Sequence, residues 1–448
     1  LSAVVLTNSD VPYLVAYHSP VTKWLSIGAL EFDTTEPDRL WLSEGFGIAQ
    51  SSALSNATTL PWMFYNTGIE EFCGNDIIAP PGGTPVGAGW DLSGFRFDDP
   101  DQNRDRQMLS NIFGASWSLD WMGSNPSNLV VLNCCQYNWS ALGNMSGYST
   151  NGGLTWTLFD SRPLPTNDFF YGVIAVSASN LDNIVWVPAN SRGPYYTKDR
   201  GATWHVSSNA ITPPWINHTL NRKHMAADKV LDGVFYLYHA NSNAIYRSND
   251  GGVTWQRSAA APFGYRYNPV MKAMPGHAGH VWMAEGKEQA TVGPLWRSTD
   301  GGVTWLRVTN GLLQQAFNVG FGKAAPGKSY PTLFIAGVVN GVRGVYRSTD
   351  EGMSWDRICV NPLGIWDSID AMDGDKEVFG RVYVAFGGSG FAYGMITALQ
   401  ITTTNLPAAQ QGVPYAHQLA AAGGTPPYVW SMASGALPEG LALGTNGV

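Results

Sequence analysis

Short apolar runs alternate with tight polar turns along most of the chain. Val234-Phe235-Tyr236-Leu237-Tyr238 and Pro294-Leu295-Trp296 are two such runs, and each leads into a stretch rich in Ser, Thr, Asp and Gly. Short apolar runs bounded by turn residues read as β-strands joined by tight turns. No run approaches the roughly 18 uninterrupted apolar residues of a membrane-spanning helix, so none is predicted.

One turn recurs. Arg297-Ser298-Thr299-Asp300-Gly301-Gly302-Val303-Thr304-Trp305 returns with variation from Tyr148 to Trp156, Tyr196 to Trp204, Arg247 to Trp255 and Arg347 to Trp355. The first Ser or Thr of each copy is residue 149, 197, 248, 298 or 348, giving steps of 48, 51, 50 and 50 residues. A fixed period near fifty has room for four strands, the size of a propeller blade. Each copy has a physical logic. The Asp or Asn oxygen accepts backbone N–H groups inside the turn. The glycines supply positive φ. The Trp opens the next strand and packs between neighbouring units. This is the Asp-box turn, and the predicted fold is all-β, a seven-bladed β-propeller.

The chain divides into three parts. Residues 1–66 read as the last blade of a preceding propeller, with Asp38-Arg39-Leu40-Trp41-Leu42-Ser43 and Gly45-Phe46-Gly47-Ile48 as two strands and a turn. One blade cannot bury its own faces, so it must pack on something outside this chain or complete a ring with the C-terminal part. Residues 67–398 divide into seven units. The first ends near Trp117, five close on the boxes, and the last covers 361–398 with Gly380-Arg381-Val382-Tyr383-Val384-Ala385-Phe386 as its clearest strand. Seven blades closing on themselves would leave no sheet edge exposed. Residues 399–448 change character, with Pro/Gly turn signals at Leu406-Pro407-Ala408-Ala409 and from Gly423 to Ser431.

Composition narrows the function. The net charge is −8 and only 13% of residues are charged, which argues against nucleic-acid and anionic-membrane partners. Many of the 18 Trp, 19 Tyr and 18 Phe must be structural, at the strand ends of blades, and a surplus exposed in a groove would suit sugar rings. The chain opens at Leu1 without a signal peptide, which suggests a mature, processed or fragmentary form. Cys73, Cys134, Cys135 and Cys359 make no metal motif; either of the adjacent pair can reach Cys73 or Cys359. His277 and His280 share a loop without a third ligand, and no Gly-rich phosphate loop opens a helix. Neither a metal nor a cofactor is expected.

A more specific pattern lies between the boxes. Gly68-Ile69-Glu70-Glu71 leads into Asn75-Asp76-Ile77-Ile78-Ala79-Pro80-Pro81-Gly82-Gly83 and then Gly89-Trp90-Asp91-Leu92-Ser93-Gly94-Phe95-Arg96-Phe97-Asp98-Asp99. Further matches are Ala227-Asp228-Lys229-Val230 with Phe235-Tyr236, and Gly374-Asp375 with Phe379-Gly380-Arg381-Val382-Tyr383-Val384. Over roughly residues 20–398 the chain resembles the C-terminal half of glycoside hydrolase family 74, the xyloglucanases. Residues 399–448 resemble the first half of a bacterial immunoglobulin-like β-sandwich. The resemblance implies a secreted inverting enzyme that cleaves the β-1,4-glucan backbone of xyloglucan or a related polysaccharide between two facing propellers. It implies Asp91 as general acid, and a general base on an N-terminal propeller that this chain does not supply. Phe97 stands where the family usually has His, and Trp90-Asp91-Leu92-Ser93 replaces a more common Gly-Asp-Ile/Val-Gly. These departures bear on activity and substrate choice more than on fold.

Inverting hydrolysis needs a protonated carboxyl on one side of the bond and a base activating water on the other. An aromatic, poorly solvated neighbourhood raises a carboxyl pKa, and Trp90 and Phe95 flank Asp91. Arg96, Trp121, Tyr137, Trp139, Trp215 and Arg222 are the further candidates for substrate contact, with Phe169, Phe170 and Tyr171 beside them; inter-blade core is the competing role for each aromatic. The polar loop Asn221-Arg222-Lys223-His224 can bond sugar hydroxyls or stand in solvent. Asp98 and Asp99 fit a solvated loop or a bond to Arg96. The substrate is expected across the face opposite the box turns. Two other readings fit the chain: a non-catalytic carbohydrate-binding or adhesion propeller, and a protein-binding Asp-box propeller.

Overall fold

The computed structural model describes residues 3–9, 27–45, 47–52, 59–67, 69, 71–90, 93–102, 115–134, 146–163, 172–188, 193–209, 223–262, 268–286, 293–360, 367–395, 399–410, 412–424 and 428–448. Among them the secondary structure is β throughout, apart from a single 3-10 turn at Asn310–Leu312.

Seven small antiparallel sheets follow one another between Gly74 and Met395. Each is a meander in which sequential strands pair, so the first strand lies at one edge and the last at the other. The first strands are Gly74–Ile78, Ala115–Met122, Gly172–Val176, Met225–Ala227, Val270–Ala273, Leu313–Gly322 and Ile369–Gly374. Each packs against the next, and the last packs against the first. This is the β-propeller that the fifty-residue period predicts. The core lies between blades. Trp117, Val130 and Leu132 of one sheet meet Ile174, Ile184 and Trp186 of the next. Two sheets further on, Trp282 and Leu295 meet Val319, Phe321 and Ile335.

Buried aspartates stitch the inner strands together. Asp76 Oδ2 accepts the Leu119 N–H at 2.7 Å, and Asp120 Oδ2 accepts the Val176 N–H at 3.0 Å. Asp373 accepts the Phe321 N–H on Oδ1 at 3.3 Å and the Ala79 N–H on Oδ2 at 3.0 Å, joining the last blade to its neighbour and to the first. An inner strand has neighbours on one edge only, and these carboxylates satisfy donors that would otherwise be buried unpaired. The seam between first and last blade has further ties. Phe72 bridges Ser389 in parallel, and its ring meets Phe391 at 5.6 Å.

The box turns form as expected. In the copy at residue 298, Ser298 Oγ accepts the Gly302 N–H at 2.8 Å and donates to Asp300 Oδ1 at 2.8 Å. Asp300 Oδ1 takes the Thr304 N–H at 2.9 Å, and Thr304 Oγ1 donates to Asp300 Oδ2 at 2.6 Å. Gly302 adopts φ +83°. Trp255 is buried among Val173, Val185 and Phe235, between two blades. The two motifs around Asp228 and Asp375 share one structure. Each carboxylate accepts the N–H groups two and three residues on, and a Tyr hydroxyl eight residues on: Tyr236 at 2.8 Å and Tyr383 at 2.8 Å.

Residues before Gly74 form a separate five-stranded sheet in the order Ala3–Ser9, Thr59–Phe64, Gly47–Ser51, Leu40–Glu44, Ala29–Phe32. The pairing of Leu40–Glu44 with Gly47–Ser51 is the expected hairpin. The parallel pairing of Ala3–Ser9 with Thr59–Phe64 is not foreseen by the alternation, because it joins segments some fifty residues apart. Beyond Leu399 the described chain is mostly exposed, with one short pairing of Gln400–Ile401 and Ala421–Ala422.

Candidate active-site face

The two ends of the propeller differ in kind. In a meander the first-to-second and third-to-fourth turns lie at the same end, so every box turn sits beside a first-to-second turn. The contacts Gly251 N–H to Gly233 O at 2.8 Å and Gly301 N–H to Gly279 O at 2.9 Å show this. The opposite end carries the second-to-third turns and the connections between blades.

The strands that flank Asp91 in sequence meet at that opposite end. Val86–Gly89 and Gly94–Arg96 are paired strands, with Ala88 opposite Gly94 and the Gly89 N–H bonded to Ser93 O at 3.2 Å. Asp91 and Leu92 lie between Trp90 and Ser93, outside the described residues. Tyr137, Trp139, Trp215 and Arg222, with Phe169, Phe170 and Tyr171, are also outside them.

Trp90 and Ser93 bracket Asp91-Leu92 in sequence. Trp90 donates its N–H to Cys73 O at 2.9 Å, and its ring meets Trp117 edge-on at 4.5 Å. It is half-buried. Ser93 adopts φ +58°, a left-handed conformation uncommon outside glycine. Ser93 Oγ is buried without a hydrogen-bond partner. Serine here therefore strains the backbone next to Asp91 and also buries an unsatisfied hydroxyl.

Three candidates are placed elsewhere. Phe95 is buried against Phe72 at 5.3 Å, because its strand directs it into the seam between first and last blade. Arg96 lies at the box-turn end. Its Nε donates to Gly152 O at 2.9 Å and its Nη2 to Thr84 Oγ1 at 2.8 Å, and it pairs with Asp98. It braces a box turn. Trp121 is buried with Ile78, Val86 and Leu129 near the box-turn end of its inner strand, and Lys229 Nζ lies 5.0 Å over its ring. Phe97 packs edge-on against Phe391 at 5.2 Å in the seam. Asp99 Oδ1 accepts the Asp101 N–H at 3.0 Å, closing a local turn. Of the polar loop before residue 225, Lys223 and His224 are buried.

Lys223 turns inward and pairs with Asp76. It belongs to a charged lining of the central shaft that the sequence reading missed. Lys229 Nζ meets Asp120 Oδ1 at 2.6 Å, and Lys376 Nζ meets Asp373 Oδ2 at 2.5 Å. The signal was one Asp inside an otherwise apolar inner strand, as in Asn75-Asp76-Ile77-Ile78 and Leu119-Asp120-Trp121. A charge in such a run has to find a partner.

No protein-family model matches the chain. A xyloglucanase of a Paenibacillus species is 31% identical over 379 residues, covering 84% of this chain and 35% of that protein. A xyloglucanase of Acetivibrio thermocellus is 33% identical over 381 residues, covering 84% of this chain and 42% of that protein. Among solved structures, the family 74 xyloglucanase of Xanthomonas campestris superposes with a TM-score of 0.70 at 27% identity, over 87% of this chain and 53% of that one. The family 74 enzyme of Niastella koreensis gives 0.68 at 26% identity, over 88% and 52%. The chain thus spans less than half the length of these two curated relatives and about half of each solved chain.

Proposed function

Because the chain belongs to glycoside hydrolase family 74, we propose that it is one propeller of a secreted two-propeller enzyme. That enzyme hydrolyses the β-1,4-glucan backbone of xyloglucan with inversion, and Asp91 is its general acid. The carrying observation is that Val86–Gly89 and Gly94–Arg96, the paired strands on either side of Asp91 in sequence, join at the end opposite the box turns. The seven sheets from Gly74 to Met395 are its blades, and the general base comes from the other propeller.

The described residues nearest Asp91 in sequence are compatible with an acid. Trp90 and Trp117 place apolar rings beside the segment that holds it. Such surroundings disfavour the carboxylate and keep a carboxyl protonated nearer neutral pH. Residues before Gly74 read as the closing blade of the first propeller. Leu30 and Phe32 are exposed on the edge strand Ala29–Phe32, which supports contact with a further part of that propeller. Residues 399–448 read as the start of an appended immunoglobulin-like domain.

One observation favours a second reading, a propeller that binds glucan without cleaving it: the left-handed Ser93 strains the turn next to the acid. Xyloglucan hydrolysis and xyloglucan binding separate the two. Both are measured for this chain together with its first propeller, as wild type and as Asp91→Asn. Loss of product release with binding retained supports the acid. Binding without any hydrolysis in the wild type supports the second reading.

A further inference from the structure

The shaft of the propeller holds a cavity of about 60 Å³ that opens to solvent. Seven charged residues line it or pair with those that do: Asp76, Asp120, Asp373, Lys223, Lys229, Lys272 and Lys376. Four ammonium groups against three carboxylates leave a net charge of +1 (4 − 3).

The carboxylates are already engaged. Asp76 holds Lys223, with the Ile77 and Leu119 N–H groups at 2.8 and 2.7 Å. Asp120 holds Lys229 on one oxygen and the Val176 N–H on the other. Asp373 takes Lys376 and the Ala79 N–H on Oδ2, and the Phe321 and Gly374 N–H groups on Oδ1. Lys272 has no salt bridge among the described residues. Its Nζ donates to Met372 O at 2.5 Å, which uses one of its three donors. Burial holds its pKa down to about 8, with Asp373 opposing that shift.

We propose that the shaft is a binding site for one small inorganic anion, seated on Lys272 and balancing the surplus ammonium. Lys272 is half-buried and makes no ion pair of its own among the described residues, and a mobile counter-ion of halide size neutralises such an ammonium without rebuilding the wall. The remaining donors of Lys272 and the partly open space give that ion its contacts and its entry. This site is separate from the loop face and does not depend on any catalytic assignment.

The test is a crystal soaked in sodium bromide, examined by anomalous scattering, with the wild type and Lys272→Met compared. The expected result is a bromide peak in the shaft beside Lys272 Nζ, absent in Lys272→Met. In solution, bromide should raise the wild-type melting temperature above that in gluconate at equal ionic strength, and this difference should vanish in the variant. Lys272→Met also removes the surplus charge, so it should fold and be no less stable than wild type in gluconate. If that variant fails to fold, Lys272→Gln replaces it in both measurements. Bromide only at surface lysines, or a shaft peak that survives the loss of Lys272, overturns the proposal.

Discussion

The Ala79 N–H donates to Asp373 Oδ2 at 3.0 Å, linking residues 294 positions apart in sequence and fastening the first inner strand of the propeller to the last. Asp373 also holds Lys376 and reaches Phe321 in the neighbouring blade. One side chain thus spans three blades.

Replacing that carboxylate should be severe. Asp373→Asn leaves Lys376 buried without its counter-ion, and breaking a buried pair from one side costs about 3–5 kcal/mol. Urea unfolding should show a loss of that order. A loss below about 1 kcal/mol would mean that the seam is held by its aromatic contacts alone.

Acid should weaken the propeller for the same reason. Burial pushes the Asp373 carboxyl up, but Lys376, Lys272 and its hydrogen bonds outweigh this and hold it below the ordinary value. Hydrogen bonds from Thr197 and Thr203 hold Asp199 at about 2. A depressed carboxylate contributes stability that is fully present above its unfolded pKa, about 3.9, and is lost as pH falls through the folded value. The unfolding midpoint should therefore hold between about pH 5 and 7 and fall below about pH 4.

Two box glycines separate backbone conformation from packing. At Gly152, φ is +67° and an added Cβ meets nothing within 4 Å. At Gly252, φ is +88° and the Cβ would lie 2.5 Å from Val185 Cγ2. Gly152→Ala should cost about 1–2 kcal/mol for the left-handed backbone. Gly252→Ala should cost about 1–3 kcal/mol more for overpacking. Equal losses in thermal melts would refute the distinction.

Ser93→Gly should stabilise the protein. It relieves a left-handed non-glycine residue and removes a buried hydroxyl without a partner, together worth about 1–2 kcal/mol. The expected readout is a higher melting temperature, together with a change in xyloglucan turnover, since the residue lies two positions from Asp91.

The blade period and the box turns were legible because each is written locally, in turn residues and strand order. The roles of Trp121, Phe95 and Arg96 were not. An aromatic or basic residue on an inner strand looks the same in sequence as one beside a cleft. Only the pairing shows that Trp121 lies between blades or that Arg96 reaches Gly152. The aspartate stitching was hidden for a related reason. Asp76 and Leu119 are 43 residues apart, and nothing near either announces the other.

The central claim is that Asp91 protonates the departing sugar. The most direct measurement compares Asp91→Ala with wild type, both with the first propeller present. Two substrates are used: xyloglucan, and an activated aryl β-glycoside of a xyloglucan oligosaccharide whose leaving group needs no proton. A general acid contributes typically about 10²–10⁴-fold when the leaving group is poor. The account predicts a loss of that size on xyloglucan and near-normal departure of the aryl group. Equal loss on both substrates, or none on either, would contradict it.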